Sequence, residues 1–293
     1  MDANQLKKLA AEKAVEEIKS GMTVGLGSGS TVQFALEKIS EKIKNGELKN
    51  IRCVPSSMNT EAEANRLGIP IVTFDELCLS ENIKRETEDG KQKSEERNQK
   101  SASGFQYSET LYTLHSAFCI DLTIDGADEV AAGYPSPDLY LSGEGPNKFN
   151  LIKGGGGALL REKVLAQASK KFIVIIDESK ISKHLGINWH VPVEVIQFAV
   201  GVETKYLESL GAKAVKRKKA DGSAYITDEN NFILDADFGE IKNPEELSAL
   251  LNQRAGIVEH GLFIGMTSEL ICAMSNGEVR SVKYEVKSKK CEV

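Results

Sequence analysis

Strands and amphipathic helices alternate through residues 1–75, and this alternation narrows the chain to one broad architecture. Leu6, Leu9, Ala10, Val15 and Ile18 recur at helical spacing and predict a helix over roughly 5–19. A short apolar strand follows at 23–26, then a glycine-serine turn and a helix over about 31–43. A strand at 51–54, a helix at about 60–67 and a strand at 69–74 continue the pattern. Each strand returns through a helix, so neighbouring strands run parallel with helices on both faces of the sheet. The pattern resumes with a strand at 118–124, a helix that opens from the glycines at 154–157 and runs to about 170, and an apolar strand at 172–176. The last reads as an interior parallel strand.

After Trp189 the texture changes. Predicted strands at 191–195, 212–216, 224–227, 232–235 and 256–263 mix with helices at about 202–210 and 244–251. Pro244 sits in the first turn of the second helix, where proline is tolerated. Tight turns such as Asp221-Gly222 separate these elements and suit an antiparallel sheet. A strand over 279–284 is expected to return to the first sheet. The expected class is α/β: a Rossmann-like open parallel sheet domain built from 1–190 plus 262–293, with a second, smaller α+β (ferredoxin-like) domain over 191–261. Two segments break the alternation. Residues 81–100 carry six acidic and six basic side chains and only Ile83 as a large aliphatic, too little apolar surface to offset the entropy of ordering. Residues 131–147 combine Gly and Ser with three prolines. Surface insertions are therefore expected near 81–110 and 131–147.

A net charge of −6 and the lack of any polybasic stripe argue against a nucleic-acid or membrane-surface partner. Cys53, Cys78, Cys119, Cys272 and Cys291 are scattered and odd in number, which suits neither a disulfide framework nor a zinc site and favours a reducing compartment. The first twenty residues lack the continuous apolar run of a signal peptide, and no stretch of ~18 apolar residues occurs. The expected location is the cytoplasm. His115, His184, His190 and His260 fall in no metal-ligand spacing and read as structural or surface residues.

Three motifs carry candidate chemistry. Gly25-Leu-Gly-Ser-Gly-Ser-Thr31 follows a strand and opens a helix. Free N–H groups at the helix start, backed by the hydroxyls of Ser28, Ser30 and Thr31, suit a phosphate. A dinucleotide fingerprint needs glycine where Ser30 stands, and a P-loop needs Gly-Lys-Ser/Thr, so a phosphate monoester fits better than a nucleotide. A capped tight turn has the same residues. Asp125-Gly-Ala-Asp-Glu129 follows the next strand, at the carboxyl end where open parallel sheets bind ligands. Three acids this close raise one another's pKa, which suits acid–base work; they would also suit a magnesium ion. Lys153-Gly-Gly-Gly-Gly-Ala-Leu-Leu-Arg-Glu162-Lys163 is the third. Four glycines are costly in backbone entropy unless something must approach the chain closely. Helix spacing places Glu162 at the rim of a buried face, half covered, where desolvation brings a carboxylate toward neutrality; a solvated helix surface is the plainer alternative. Lys153 is positioned to reach the same cavity as a fixed cation. Asp177-Glu-Ser-Lys180 places another lysine at a strand end.

In this order, these motifs resemble ribose-5-phosphate isomerase, type A, as do Val191-Pro-Val-Glu-Val195 and Gly261-Leu-Phe263. The resemblance covers most of the chain outside the two insertions. Serine at 28 and glycine at 157 stand where threonine and alanine are commoner in that family. The resemblance implies a cofactor-free, metal-independent aldose–ketose isomerase acting on a phosphosugar. It implies Glu162 as the base, Lys153 beside the developing oxyanion, Asp125 in ring opening and Asp128 on the sugar. It further implies Lys7, Gly27, Ser28, Gly29, Ser30 and Thr31 at the phosphate, and Gly154, Gly155, Gly156 and Lys180 around the sugar. A homodimer or homotetramer is the corresponding expectation. A non-catalytic sugar-phosphate sensor on the same fold and a metal-dependent phosphatase acting through Asp125 and Asp128 are the alternatives.

Overall fold

A computed structural model describes residues 1–77, 119–131 and 149–284. The expected insertions near 81–110 and 131–147 lie outside the described residues, apart from Ala131, and so do Cys78, His115 and Cys291.

Helix α1 (Ala3–Val15) starts on Asp2, whose carboxylate accepts from the Gln5 N–H while the Gln5 side chain accepts from the Asp2 N–H. It leads to β1 (Thr23–Leu26), α2 (Ser30–Lys44), β2 (Arg52–Pro55) and α3 (Met58–Leu67). The sheet continues with β3 (Leu122–Gly126), β6 (Phe172–Asp177), β13 (Glu269–Ala273) and β14 (Val279–Lys283). Its order is β14-β13-β6-β3-β1-β2, parallel throughout except for β14, which runs antiparallel to β13. The chain moves from β1 outward to β2 and then returns to β3 on the other side of β1. That reversal opens a crevice at the carboxyl ends of β1 and β3, the place where such sheets bind ligands. Side-chain alternation along β6 divides the core. Ile173 and Ile175 face α1 and α2, whereas Phe172, Val174 and Ile176 pack with Phe149, Leu151 and Phe263 on the opposite face.

The smaller unit runs β8 (Val191–Val195), α5 (Val200–Ser209), β9 (Lys213–Lys216), β10 (Phe232–Asp237), α6 (Pro244–Asn252) and β11 (Ile257–His260). Its sheet order, β11-β8-β10-β9, is antiparallel throughout, the ferredoxin-like arrangement.

A third sheet was not anticipated: β4 (Glu129–Ala131), β5 (Asn150–Ile152), β7 (Ile181–Ser182) and β12 (Leu262–Ile264), in the order β12-β5-β4-β7. It packs on the apolar face of the main sheet and delivers residue 153 to the crevice. The strand expected over 256–263 is really two, β11 and β12, in different sheets. The chain changes sheet at Gly261, whose N–H donates to Pro192 O at 2.7 Å and where an added Cβ would lie 2.3 Å from Lys153 O. The predicted strands at 69–74 and 224–227 are not strands; isolated bridges (Cys53 with Ile71, Lys218 with Ala224, Ile226 with Phe232) replace ladders. Pro70 donates no ladder hydrogen bond, which shortens the first of these. Helix α4 (Leu159–Gln167) is shorter than expected, and β13 went unpredicted.

Candidate active site

Three of the predicted residues meet in the crevice. Lys153 leaves β5 with its N–H donating to Gly261 O at 2.9 Å, which turns its side chain inward. The ammonium donates to Gly126 O at 2.6 Å and stands 2.9 Å from Asp125 Oδ2 and 3.3 Å from Glu162 Oε2. All three side chains are buried, at 5% exposure or less. Asp125 sits near the end of β3, where its Oδ1 accepts from the N–H groups of Ser28 (3.1 Å) and Gly126 (2.7 Å). Among the described residues neither Asp125 Oδ2 nor Glu162 Oε2 has a hydrogen-bond partner; their contacts with Lys153 are ionic. Glu162 lies in the first turn of α4 and is buried rather than half covered. The helix stripe alone underestimated its cover, because α4 packs against β3, β8 and β11 and the remaining cover comes from Lys153 and Asp125.

The charges explain the chemistry available. Two carboxylates and one ammonium leave one excess negative charge in a dry site, and burial disfavours it. Burial first, then the nearby Asp125 and Asp128, push the Glu162 carboxyl up to about 8, against the pull of Lys153. Burial likewise raises Asp125, opposed by Lys153 and by the Gly126 and Ser28 N–H groups. Burial works against the Lys153 ammonium, but Asp125 and Glu162 outweigh it and hold its pKa above the ordinary lysine value. Asp125 Oδ1 accepts from two N–H groups that stabilise its charge, whereas Glu162 Oε2 has no donor among the described residues. The shared proton therefore belongs on Glu162, which makes it the group that can exchange a proton near neutrality.

Gly27 continues β1 into the crevice, and a Cβ there would lie 2.1 Å from Asp125 Oδ1. Glycine at 27 is what lets Asp125 reach the Ser28 N–H. Gly29, at φ 95°, precedes α2 and leaves the N–H groups of that helix facing outward with Ser30 and Thr31. Lys7 crosses from α1 and donates to Ser30 Oγ at 3.0 Å, placing a cation beside them. Ser28 differs from its expected role in one respect: its hydroxyl is engaged with those of Ser56 (2.7 Å), Ser57 (3.0 Å) and Thr60 (3.2 Å). On the other wall, Asp128 Oδ2 accepts from the Gly155 N–H at 2.7 Å. Gly154, with φ 97°, is buried, and Gly156 is open to solvent with nothing within 4 Å of an added Cβ. A Cβ at Gly155 would lie 2.9 Å from the Trp189 ring, and the Lys180 ammonium stands 5.4 Å over that ring. Lys180 thus reaches the glycine loop through Trp189. The third acid of the 125–129 motif turns away: Glu129 accepts from the Ser182 hydroxyl and from the Gly186 and Asn188 N–H groups, tying down the loop that precedes Trp189.

The family pattern of ribose 5-phosphate isomerase A (phosphoriboisomerase A) matches residues 95–277. The chain belongs to this family. A ribose-5-phosphate isomerase A of Desulfatibacillum aliphaticivorans is 48% identical over 278 residues, spanning 95% of this chain and 96% of that protein. A D-ribose-5-phosphate isomerase solved in complex with phospho-erythronic acid superposes with a TM-score of 0.74 over 97% of this chain and 100% of its own, at 30% identity. The ribose 5-phosphate isomerase of Plasmodium falciparum gives 0.73 over 96% and 99%, at 32% identity.

This member of the ribose 5-phosphate isomerase A family places further residues at the site that sequence reasoning missed. Ser56, Ser57 and Thr60 surround Ser28; the hydroxyl run after β2 was their only signal. Trp189, the single tryptophan, had no motif around it. Arg217 and Tyr225 come from the segment between β9 and β10 of the small unit and lie in a lysine-rich stretch that reads as surface. Lys163, next to Glu162, is buried on the far side and donates to Glu259 Oε1 and His260 O, both at 2.6 Å. Burial and that neighbouring ammonium push the His260 imidazole down to about 3, so this histidine is a neutral structural group. Among the described residues, no group of three or more His, Cys, Asp or Glu side chains is arranged to hold a metal ion, and no helix is long and apolar enough to cross a membrane.

Proposed function

We propose that this enzyme interconverts D-ribose 5-phosphate and D-ribulose 5-phosphate through a cis-enediolate, with Glu162 as the proton carrier. The observation that carries this reading is the buried trio in which the Lys153 ammonium stands between the Asp125 and Glu162 carboxylates. A proton on carbon next to a carbonyl is weakly acidic, so its removal needs a base of raised pKa together with a fixed positive group at the oxygen that becomes negative. Glu162 and Lys153 have those properties.

In the forward direction, Asp125 assists opening of the furanose by proton transfer between the C1 hydroxyl and the ring oxygen. Glu162 then removes the proton from C2 of the open aldose, and the charge that develops on O1 is met by Lys153. Glu162 returns its proton to C1, while the hydroxyl proton of O2 passes to O1 and C2 becomes the carbonyl carbon. Atoms and electrons balance with no external oxidant or reductant. The phosphate is assigned to the α2 start with Ser30, Thr31 and Lys7, and Asp128 and Lys180 to the sugar. Binding at that remote end holds C1 and C2 at the base. The reaction belongs to the non-oxidative branch of the pentose phosphate pathway.

The test is turnover of ribose 5-phosphate by the wild type and by Glu162→Gln, both with EDTA present. The wild type should be active and the variant reduced by about 10³-fold or more in kcat, with KM little changed. Wild-type activity in the variant would remove Glu162 as the base. Activity abolished by EDTA would point instead to a metal-dependent reaction.

A further inference from the structure

The small sheet grips the glycine loop from one side. Arg217 follows β9 and donates through Nη1 to Gly154 O at 2.8 Å and Gly155 O at 3.1 Å. Its other guanidinium edge is held by Asp235 of β10, through Nε at 2.9 Å and a second contact through Nη2. Tyr225 lies beside the same guanidinium, its ring 5.9 Å from Arg217 Cζ, and its hydroxyl donates to Gly156 O at 3.0 Å. A Cβ at Gly157 would lie 2.2 Å from that hydroxyl oxygen. Three successive carbonyls are thus drawn toward one wall.

A trans peptide points its carbonyl and the following N–H in opposite directions. Fixing the Gly154 and Gly155 carbonyls on Arg217 therefore aims the Gly155 and Gly156 N–H groups at the opposite wall, the wall of Asp128. The Gly155 N–H donates to Asp128, and the Gly157 N–H folds back onto Gly154 O. The Gly156 N–H has no partner among the described residues, and the residue faces open space.

We propose that Arg217, clamped by Asp235 and helped by Tyr225, is a positioning residue: it fixes the peptide planes of the glycine loop so that the Gly156 N–H serves as a second donor, beside Lys153, to the oxygen that gains charge. The proposal rests on the isomerase reading above. Glycine-rich backbone has many accessible conformations, so a donor carried by it contributes to a transition state only if something outside the loop removes that freedom. A guanidinium fork suits this task, because one edge binds a carboxylate while the other spans two carbonyls, whereas a lysine offers a point charge.

The test compares Arg217→Met, Arg217→Lys and Tyr225→Phe with the wild type, measuring kcat and KM for ribose 5-phosphate, thermal stability and competition by phospho-erythronic acid, the ligand in the superposed isomerase. The carboxylate of that acid has the shape and charge of the enediolate oxygens, so it serves as the inhibitor here. Arg217→Met should lower kcat by about 10²-fold with KM within about threefold. Its inhibitor affinity should weaken by about the same factor as kcat/KM, as expected for a group felt in the transition state. Arg217→Lys should recover about tenfold of the loss, and Tyr225→Phe should lose less than Arg217→Met. A lowered melting temperature with unchanged kcat and unchanged inhibition would overturn the proposal and leave Arg217 as a staple between sheets. If Arg217→Met does not fold, Arg217→Lys and Tyr225→Phe carry the same comparison. If the wild type itself fails to turn over ribose 5-phosphate, the isomerase reading falls. The positioning claim is then decided in 15N-labelled protein: the Gly155 and Gly156 amide resonances must move in Arg217→Lys and stay in place in Lys218→Met, and unmoved resonances refute it.

Discussion

Glu162 has the chemistry of its neighbours more than of its residue type. Its Oε2 has no hydrogen-bond partner among the described residues, burial raises its pKa from the ordinary carboxylate range to about 8, and Lys153 opposes that rise without cancelling it. The consequence for stability has a definite sign. A carboxyl that binds its proton more tightly when folded stabilises the fold below its unfolded pKa, and that contribution is lost as pH rises through the folded value. Glu162→Gln keeps the shape and removes the titration, so its melting temperature should gain on the wild type between about pH 5 and about pH 9. A variant-minus-wild-type difference in melting temperature that stays flat or falls over that range would show that Glu162 is not held protonated. At this scale the sequence was partly readable. Lys153 and Glu162 flank a glycine run whose cost needs a reason, Asp125 is one of three acids at a strand end, and the family resemblance supplies the role expected of each. Arg217 and Tyr225 were not legible, because a side chain that acts from another sheet leaves no spacing in the sequence. The half-covered Glu162 was misjudged for the same reason: a helix stripe records only what its own helix buries.

Elements set the precision of the site. Gly27 lets β1 run so close to β3 that Gly27→Ala would drive a methyl to 2.1 Å from Asp125 Oδ1. The aspartate must move, so kcat should fall by about 10²-fold and stability by about 1–3 kcal/mol. By contrast, Gly156→Ala meets nothing within 4 Å and should leave stability within about 1 kcal/mol of the wild type, measured by urea unfolding. Helix α4 is fixed from behind by Lys163, whose ammonium donates to Glu259 and to His260 O and lies 4.9 Å from the Phe263 ring centroid. Lys163→Met strips the ammonium from Glu259, which among the described residues keeps only the His260 N–H at 2.8 Å, and from the His260 carbonyl, and should cost about 3 kcal/mol in denaturant unfolding. A loss under about 1 kcal/mol would mean the pair adds little to the fold. The long elements were legible because helices such as α2 repeat a period over several residues and strands such as β6 form an unbroken apolar run. Strands of two or three residues, β4, β5, β7 and β12, hold too few residues to show any period.

Across the molecule, residues 28, 125, 153 and 162 converge because three sheets meet at one crevice. The main sheet supplies the switch point between β1 and β3, which follows from its strand order. The third sheet delivers Lys153, and the change of sheet at Gly261 brings the strand that ends the small unit directly behind it. The ferredoxin-like sheet adds the wall that carries Arg217 and Tyr225. The parallel half of this plan could be read from strand–helix alternation, since each crossover encodes its own direction. The junction between sheets could not, because it depends on close backbone approach at Gly261 rather than on any pattern along the chain. The proposed role of this arrangement is to hold one proton on Glu162 against Lys153 and Asp125, and the pH dependence of kcat/KM for ribose 5-phosphate tests that most directly. The base must be ionised to act, so kcat/KM should rise with pH through an inflection near 8, well above the phosphate ionisation near about 6. Asp125→Asn removes a neighbouring negative charge and should move that inflection to lower pH. A wild-type profile flat across the inflection, or an inflection that Asp125→Asn leaves in place, would contradict the buried trio as the source of the catalytic base.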